Sequence, residues 1–581
     1  MKQEIHFWKT IKRIITYAKP HRLYFYLAVV FDMTAVGLNM FVPVTLGWAI
    51  DKMIGVNNVD FSGLFKMLIL IGILAVVSAV FEWFAVFFEN TLVNRTSESM
   101  REMCFKKINT VPLKYVDNKP HGDILNTMVN DVDNITSGFL SGFTSVLSGI
   151  VTLISCSAFM LYLNWQLSLV VMILSPLSVL LSGYITKKAK KLFKRQVDVN
   201  GEISAYTEEM LTNIKIVKAY NIEEQNIEKF EVINKDLRDC SEKAVFFASL
   251  AGPSSRFING TLYGIVGCTG AIMGIAKLIT VGEISSFLGY VNNFTSPFTE
   301  IADILSDIQV AIASANRVFD LLDQKSVPSD RGKEELKNCN GNLKLEKVYF
   351  SYTPHVRLIE NFNLNVKKGQ HVAIVGPTGC GKSTLINLLM RFYDIDSGKI
   401  IISGKNAEDI TRNSLRSCYG MVLQDSWLYN ASIRDNIAYG KPDATMEEVI
   451  EASTLAGAHS FIERFPDGYD TIVDENADNI SAGQKQLICI ARIMLIKPPM
   501  LILDEATSNI DTRTEQKIQQ AFSNLMEGRT SFIVAHRLST IINSDLILVM
   551  NKGNIIEQGT HNELLAKQGF YYNLFNSQFG N

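Results

Sequence analysis

The chain has 581 residues, with 56 basic and 58 acidic side chains and a formal charge of −2, so no whole-chain electrostatic argument points to a nucleic-acid partner. Charged residues make up only 20%, against roughly 25% in average soluble chains, and the mean hydropathy is +0.13. A strongly apolar part diluted by an ordinary soluble part fits these values; a disordered chain, a collagen or a small disulfide scaffold does not, and roughly 100–200 residues per domain predicts two to four structural units.

Residues 1–24 (MKQEIHFWKTIKRIITYAKPHRLY) are basic and amphipathic, with no small-residue cleavage site after their apolar stretch. They read as an interfacial helix leading into a membrane span. A span needs about 20 mostly apolar residues to cross roughly 30 Å of hydrocarbon. Segments 138–163 and 165–186 meet this without charge. Segments 23–50 (with Asp32), 64–88 (with Lys66 and Glu82) and 244–276 (with Arg256) meet it with one or two charges, and 284–310 is a weaker sixth. The long connections carry the lysines and arginines, among them Arg95, Arg101, Lys187, Lys188, Lys190 and Lys191, which places them and both termini in the cytoplasm. Those connections are rich in helix formers, so the spans are expected to continue as helices beyond the bilayer. Intramembrane charges are costly, which makes Asp32, Glu82 and Arg256 candidates for lining a cavity.

Residues 323–341 are polar and rich in breakers and read as a linker between a membrane domain at 1–322 and a second domain at 342–581. From about Leu343 short β-branched runs alternate with amphipathic stretches, the pattern of an α/β fold. The apolar run Val372 to Val375 leads into Gly376-x4-Gly381-Lys382-Ser383 and then a helical pattern. Glycines there let backbone N–H groups curl around phosphate oxygens, and Lys382 would reach the β- and γ-phosphates of a nucleotide while the Ser383 hydroxyl would ligate Mg²⁺. The run Leu501 to Leu503 ends in Asp504 and Glu505, which suits a buried strand delivering two carboxylates. Asp504 would hold the Mg²⁺ shell and Glu505 would polarise the attacking water. The eight cysteines, at 104, 156, 240, 268, 339, 380, 418 and 489, form no CxxC pair and read as reduced thiols rather than a zinc site.

ISAGQKQ at 480–486, ahead of LILDEATS, with SFIVAHRLST after it, resembles the ATP-binding cassette of an ABC transporter. The six preceding spans with long cytoplasmic connections resemble the exporter type, as a half-transporter chain. The fold that this resemblance implies is a six-helix membrane domain fused to an α/β P-loop cassette. It implies a nucleotide cradle of Gly376, Pro377, Thr378, Gly379, Cys380, Gly381, Lys382, Ser383 and Thr384, with Tyr352 stacking on adenine. It also implies Gln424 as the loop glutamine that senses Mg²⁺ and nucleotide, His536 as the switch histidine, and Asp511 facing the partner's site. Ser481, Gly483 and Gln484 match signature positions that close over ATP held by the other subunit. The stretches 110–133 and 208–224 resemble the two cytoplasmic turns that dock on cassettes.

Where LSGGQ is usual, this chain has Ile480 and Ala482, and the preceding TIVDENADN lacks the usual glycines, while Glu505 and His536 are intact. That combination resembles the catalytically competent half of heterodimeric bacterial multidrug exporters and favours a second, different half-transporter as partner. The expected activity is ATP-driven export of small amphipathic or hydrophobic substrates across the cytoplasmic membrane. A lipid translocase and a peptide exporter are alternatives with the same chemistry, and a nucleotide-sensing channel or regulatory subunit is an alternative of another class. Asp32 and Glu82 hint at a cationic amphipathic cargo.

Overall fold

Backbone polar groups have no partners in hydrocarbon, so a spanning segment must satisfy them internally, and the first half of the chain is helical almost throughout. The structure, a computed structural model, describes residues 2–53, 59–353, 356–423, 426–474, 479–504, 512–534 and 541–579. Its helices are α1 (Lys2–Ala18), α2 (Arg22–Asp51), α3 (Phe61–Ile108), the short α4 (Leu113–Asp117) and α5 (His121–Leu163). After these come α6 (Trp165–Thr212), the short α7 (Ile214–Tyr220), α8 (Glu223–Ile275) and α9 (Val281–Leu322). Each of the six expected spans falls in one long helix of this series, the fifth (244–276) running one residue past the end of α8. Among the described residues, Trp8–Asp51, Phe61–Ile108, His121–Leu163 and Glu223–Ile275 are long and apolar enough to cross a membrane, and Trp165–Pro176 is a shorter apolar stretch. The expected continuation past the bilayer is present: α3 has 48 residues, about 72 Å at 1.5 Å per residue, against roughly 30 Å of hydrocarbon.

The chain separates into two compact units, one of Met1–Val111 with Lys119–Lys325 and the other of Pro112–Asn118 with Ser326–Asn581. The core of the first draws Met40 and Val44 from α2, Cys156 and Met160 from α5, Leu167 and Val171 from α6, Leu262 and Val266 from α8, and Phe287, Tyr290, Val291 and Phe294 from α9. The buried phenol of Tyr290 is satisfied by donating to the Met40 carbonyl at 2.5 Å. Further along, α5 contains two π-helical stretches, Thr127–Asp131 and Thr136–Ser141. At the end of the first, buried Asp131 accepts from Ser314 Oγ at 2.9 Å and from Arg317 Nε at 2.8 Å, tying α5 to α9.

The second unit holds two sheets. One is antiparallel, in the order β2-β1-β4-β5, made of β1 (Leu343–Phe350), β2 (Ile359–Val366), β4 (Ser397–Ile402) and β5 (Lys405–Asn406). The other has the order β10-β9-β3-β8-β7-β6, made of β3 (His371–Val375), β6 (Tyr419–Val422), β7 (Met500–Asp504), β8 (Thr530–Val534), β9 (Leu546–Asn551) and β10 (Asn554–Gly559). Five of its strands pair in parallel and only β10 runs against its neighbour. The near-continuous burial of β3, β7 and β8 explains their unbroken apolar sequences, since parallel strands are covered on both faces. Residues of the segment read as a linker are anchored on this unit. Asp330 accepts from the Arg412 backbone N–H at 2.6 Å and from its guanidinium at 2.8 Å, and Thr411 N–H donates to the Glu334 carbonyl at 2.9 Å.

Candidate functional site

The loop after β3 sits at the carboxyl edge of the parallel sheet and leads into α10 (Lys382–Leu389), the place where α/β folds bind ligands. Two glycines make its path possible. A Cβ on Gly376 would lie 2.3 Å from the Met550 carbonyl oxygen and 2.7 Å from Cys380 Sγ. Gly381 caps α10 at a φ of +105°, a conformation that L side chains rarely adopt. The turn between β9 and β10 braces the loop, because Gly553 N–H donates to the Cys380 carbonyl at 2.8 Å. Pro377, Thr378, Gly379 and Ser383 are exposed at the loop, whereas Cys380 and Thr384 are buried beneath it. The Lys382 ammonium lies back across the loop, 2.8 Å from the Gly376 carbonyl and 3.1 Å from that of Pro377.

Asp504 ends β7, half-buried, and is in register with Val534 of β8, which is in register with Ile374 of β3. It therefore lies two strands from the start of the loop, about 10 Å at 4.7–4.9 Å per strand. Strand order thus brings a carboxylate 123 positions further along the chain than Gly381 to the same sheet edge as the phosphate-type loop.

Tyr352 follows β1. Its phenol donates to Thr384 Oγ1 at 3.2 Å and accepts from Asn387 Nδ2 at 3.4 Å, so the ring lies beside the helix that begins in the loop. Its ring meets Phe350 and Tyr393 edge-on, at 4.9 and 5.0 Å between centroids. Such edge contacts are a favoured aromatic geometry and fix the orientation of the ring.

Ser481 is the N-cap of α11 (Ala482–Ile496). Its hydroxyl accepts from the Gln484 N–H at 3.4 Å, and the Gln484 side chain accepts from the Ser481 N–H at 2.9 Å, a reciprocal capping box. Ile480 and Gly483 are buried and Ser481 is exposed, so the hydroxyl stands at the surface, at a helix N-terminus suited to an anion. Glu505, Gln424, Asp511 and His536 lie outside the described residues.

Two features bring in residues not singled out in the sequence, Asp117 and Tyr393 in one and Glu89 in the other. Within the second unit, Lys114 Nζ of α4 donates to the Tyr352 carbonyl at 2.7 Å and Tyr393 Oη donates to Asp117 of α4 at 2.5 Å. Burial and that hydrogen bond push the Tyr393 phenol well above its usual range, so it stays a donor. Only the likeness of residues 110–133 to a docking turn pointed to this contact. In the first unit, Asp32 lies near Ser148, Glu82 and Glu89, and Glu89 lies near Ser141 and Thr144. On the same two helices, α2 and α3, the rings of Phe31, Phe81, Phe84 and Phe88 pack on one another. Arg256 is exposed on α8 and has no part in this cluster.

Comparison with known proteins adds three findings. The ABC transporter transmembrane region profile matches residues 25–298, and the ABC transporter profile matches residues 359–508. A fatty acid ABC transporter ATP-binding/permease protein of Mycobacterium bovis is 39% identical over 529 residues, 90% of this chain and 84% of that protein. A Staphylococcus aureus protein named for multidrug export is 32% identical over 575 residues, 98% of this chain and 100% of its own length. The solved structure of a bacterial Atm1-family ABC exporter with ATP bound aligns with a TM-score of 0.77 at 26% identity, covering 96% of this chain and 99% of the other.

Proposed function

The chain belongs to the ABC transporter family, as an ATP-hydrolysing exporter of the cell membrane, and on that premise we propose that it is one half of a dimer that moves small amphipathic or hydrophobic substrates outward by alternating access. The observation that carries the reading is the Gly376–Thr384 loop and Asp504 at one sheet edge, in a chain whose other half is spanning helices.

In this reading the loop amides and Lys382 hold the phosphates, Tyr352 stacks on adenine, Glu505 orients and deprotonates the attacking water, and His536 contacts the γ-phosphate. Gln424 links nucleotide state to the membrane half, and Asp511 faces the partner. The exposed Ser383 hydroxyl and half-buried Asp504 are hard oxygen donors of the kind that Mg²⁺ takes alongside phosphate and water, so these residues fit that ion, with Gln424 as a further ligand. Bound there, Mg²⁺ would neutralise charge on the β- and γ-oxygens.

Ser481, Gly483 and Gln484 close over ATP held by the other subunit, while Glu505 serves the site in this chain. An intact glutamate beside an altered signature favours a heterodimer, since each site needs one element from either chain. The carboxylates of Asp32 and Glu89, on helices that also carry a cluster of phenylalanine rings, support a cargo that joins a cationic group to an apolar body. The fatty acid relative supports a lipid as the second reading.

The test is purification of the tagged chain from its own membranes. A second ABC half-transporter in equal amount, with ATPase activity only in the complex, is expected. Full activity from this chain alone would replace the heterodimer with a homodimer. A nucleotide response that persists in Glu505→Gln without turnover-driven transport would favour the sensor class.

A further inference from the structure

Cys339 and Cys418 are far apart in the chain, yet they lie beside each other in the second unit. Backbone bonds hold each in place. Asn340 N–H donates to Ser403 Oγ at 3.0 Å, Ser403 N–H donates to the Asn342 carbonyl at 2.9 Å, and Ser403 Oγ reaches Cys339 Sγ at 3.7 Å. The Gly341 carbonyl accepts from Thr530 Oγ1 at 2.8 Å, and Thr530 N–H donates to the Pro499 carbonyl at 3.3 Å. Met500, the next residue, donates its N–H to the Cys418 carbonyl at 3.0 Å. Both cysteines thus flank the start of β7 and pack on one apolar core, Cys339 half-buried at its margin and Cys418 only 2% exposed within it. Tyr419 is buried next to Cys418, and its phenol has no hydrogen-bond partner among the described residues.

We propose that Cys339 and Cys418 form a peroxide-sensitive modification site, with Cys339 as the reacting thiol, Cys418 as the resolving one and a reversible disulfide as product. Access sets the order, because an oxidant reaches the half-buried sulfur and not the buried one. The Cys418 thiol, the Gly341 N–H and the Ser403 hydroxyl outweigh burial and hold the Cys339 thiol below its ordinary range, while Cys339 and burial push Cys418 up. The Cys339 thiolate attacks one oxygen of hydrogen peroxide; the O–O bond breaks, hydroxide leaves, and Cys339 becomes a sulfenic acid. The Tyr419 phenol, near both sulfurs, is an unused donor for that oxygen. The Cys418 sulfur then attacks Cys339 Sγ, the S–S bond forms, and the S–O bond breaks to release water with the proton of Cys418. Two thiols and one peroxide become one disulfide and two waters. In a reducing compartment the pair rests as thiols and the disulfide is transient. The bond closes a ring of chain from 339 to 418 that contains the Gly376–Thr384 loop, so the oxidised cassette should resist unfolding.

The experiment treats the full chain in lipid nanodiscs with hydrogen peroxide, blocks remaining thiols with iodoacetamide and digests without reductant for mass spectrometry. The expected result is a linked pair of peptides carrying Cys339 and Cys418, with both free thiols lost together and both restored by dithiothreitol. Cys418→Ser cannot resolve the intermediate and is expected to show a dimedone-trapped sulfenic acid at Cys339 that the unsubstituted protein does not accumulate. Cys339→Ser is expected to leave Cys418 unoxidised. The thermal midpoint of the unsubstituted protein is expected to rise by about 4 °C or more on oxidation and to return with dithiothreitol. Melting of each reduced variant, expected near the unsubstituted midpoint, shows that serine leaves the cassette folded. Both thiols still open to iodoacetamide after peroxide, or Cys339 passing to sulfinic acid with no linked peptide, would overturn the site. Cys418 oxidised in Cys339→Ser would overturn the assigned order, and a midpoint unchanged or lowered by the disulfide would overturn the stabilising ring.

Discussion

The Lys382 ammonium donates to the carbonyl oxygen of Gly376 across 2.8 Å, so the loop's one cation is held by the loop's own backbone. Phosphate oxygens are stronger acceptors for an ammonium than neutral carbonyls, and in the proposed reaction the amine exchanges these contacts for the β- and γ-phosphates. Lys382→Ala is predicted to lower ATPase turnover by about 10²-fold or more, through lost charge stabilisation in the transition state. Because the loop's glycines and the Gly553–Cys380 bond do not involve the amine, the thermal midpoint of the cassette should stay near that of the unsubstituted chain. Turnover assays with a melting curve on the same sample check both halves.

Ser481 has two separable roles, one in capping α11 and one proposed toward the partner's nucleotide. Ser481→Ala removes the cap and should cost about 1 kcal/mol of cassette stability. Ser481→Asp keeps a good cap but places a negative charge where the γ-phosphate would lie. The expected result is near-normal stability with lost ATP-dependent closure in Ser481→Asp. Normal closure in that variant would leave Ser481 as a cap alone.

Asp330 and Arg412 give the cassette a pH signature. Burial pushes the Asp330 carboxyl up, but the Arg412 backbone N–H and guanidinium, with Lys333, outweigh it and leave the group below the usual carboxylate range. A carboxyl with a depressed folded pKa contributes stability that is fully present above its unfolded value, about 4, and is lost as the pH falls through the folded value. Asp330→Asn should therefore destabilise the cassette by about 1–3 kcal/mol at pH 7, since Arg412 is buried and loses a partner. The difference should shrink as both proteins are unfolded at progressively lower pH below about 4. Unfolding curves across that range read the effect directly.

Asp32 and Glu89 carry the cargo reading. The paired variant Asp32→Asn with Glu89→Gln is predicted to abolish stimulation of ATPase by cationic amphipaths while leaving basal turnover in place. Stimulation by fatty acids, whose carboxylate those groups repel, should rise or stay level. Cation stimulation surviving in the paired variant, and in Asp32→Asn with Glu82→Gln, would move the cargo to the lipid reading.

Much of this arrangement is legible in the chain because it is local. The phosphate-type loop is a continuous strand–turn–helix segment in which every constraint, such as Gly376 against Met550, demands a residue type at a fixed spacing. The spans are legible for the same reason, as runs long enough to cross hydrocarbon. The S-x-x-Q spacing of Ser481 and Gln484 also spells a helix cap, although a signature read for nucleotide contact hides that simpler role. Glu89 escapes notice because it lies one residue beyond the apolar segment at 64–88, in a helix that continues without a break to Ile108. The Tyr393–Asp117 bond joins residues 276 positions apart, and neither residue type is unusual at its place, so nothing local marks the pair.

The most direct test of the account is ATP hydrolysis by the purified complex in lipid nanodiscs, with and without Glu505→Gln. Loss of the general base is predicted to reduce turnover by 10²–10⁴-fold while ATP remains bound and the complex stays closed on it. Hydrolysis at the unsubstituted rate in Glu505→Gln would contradict the assignment of this chain as the half that supplies the competent catalytic carboxylate.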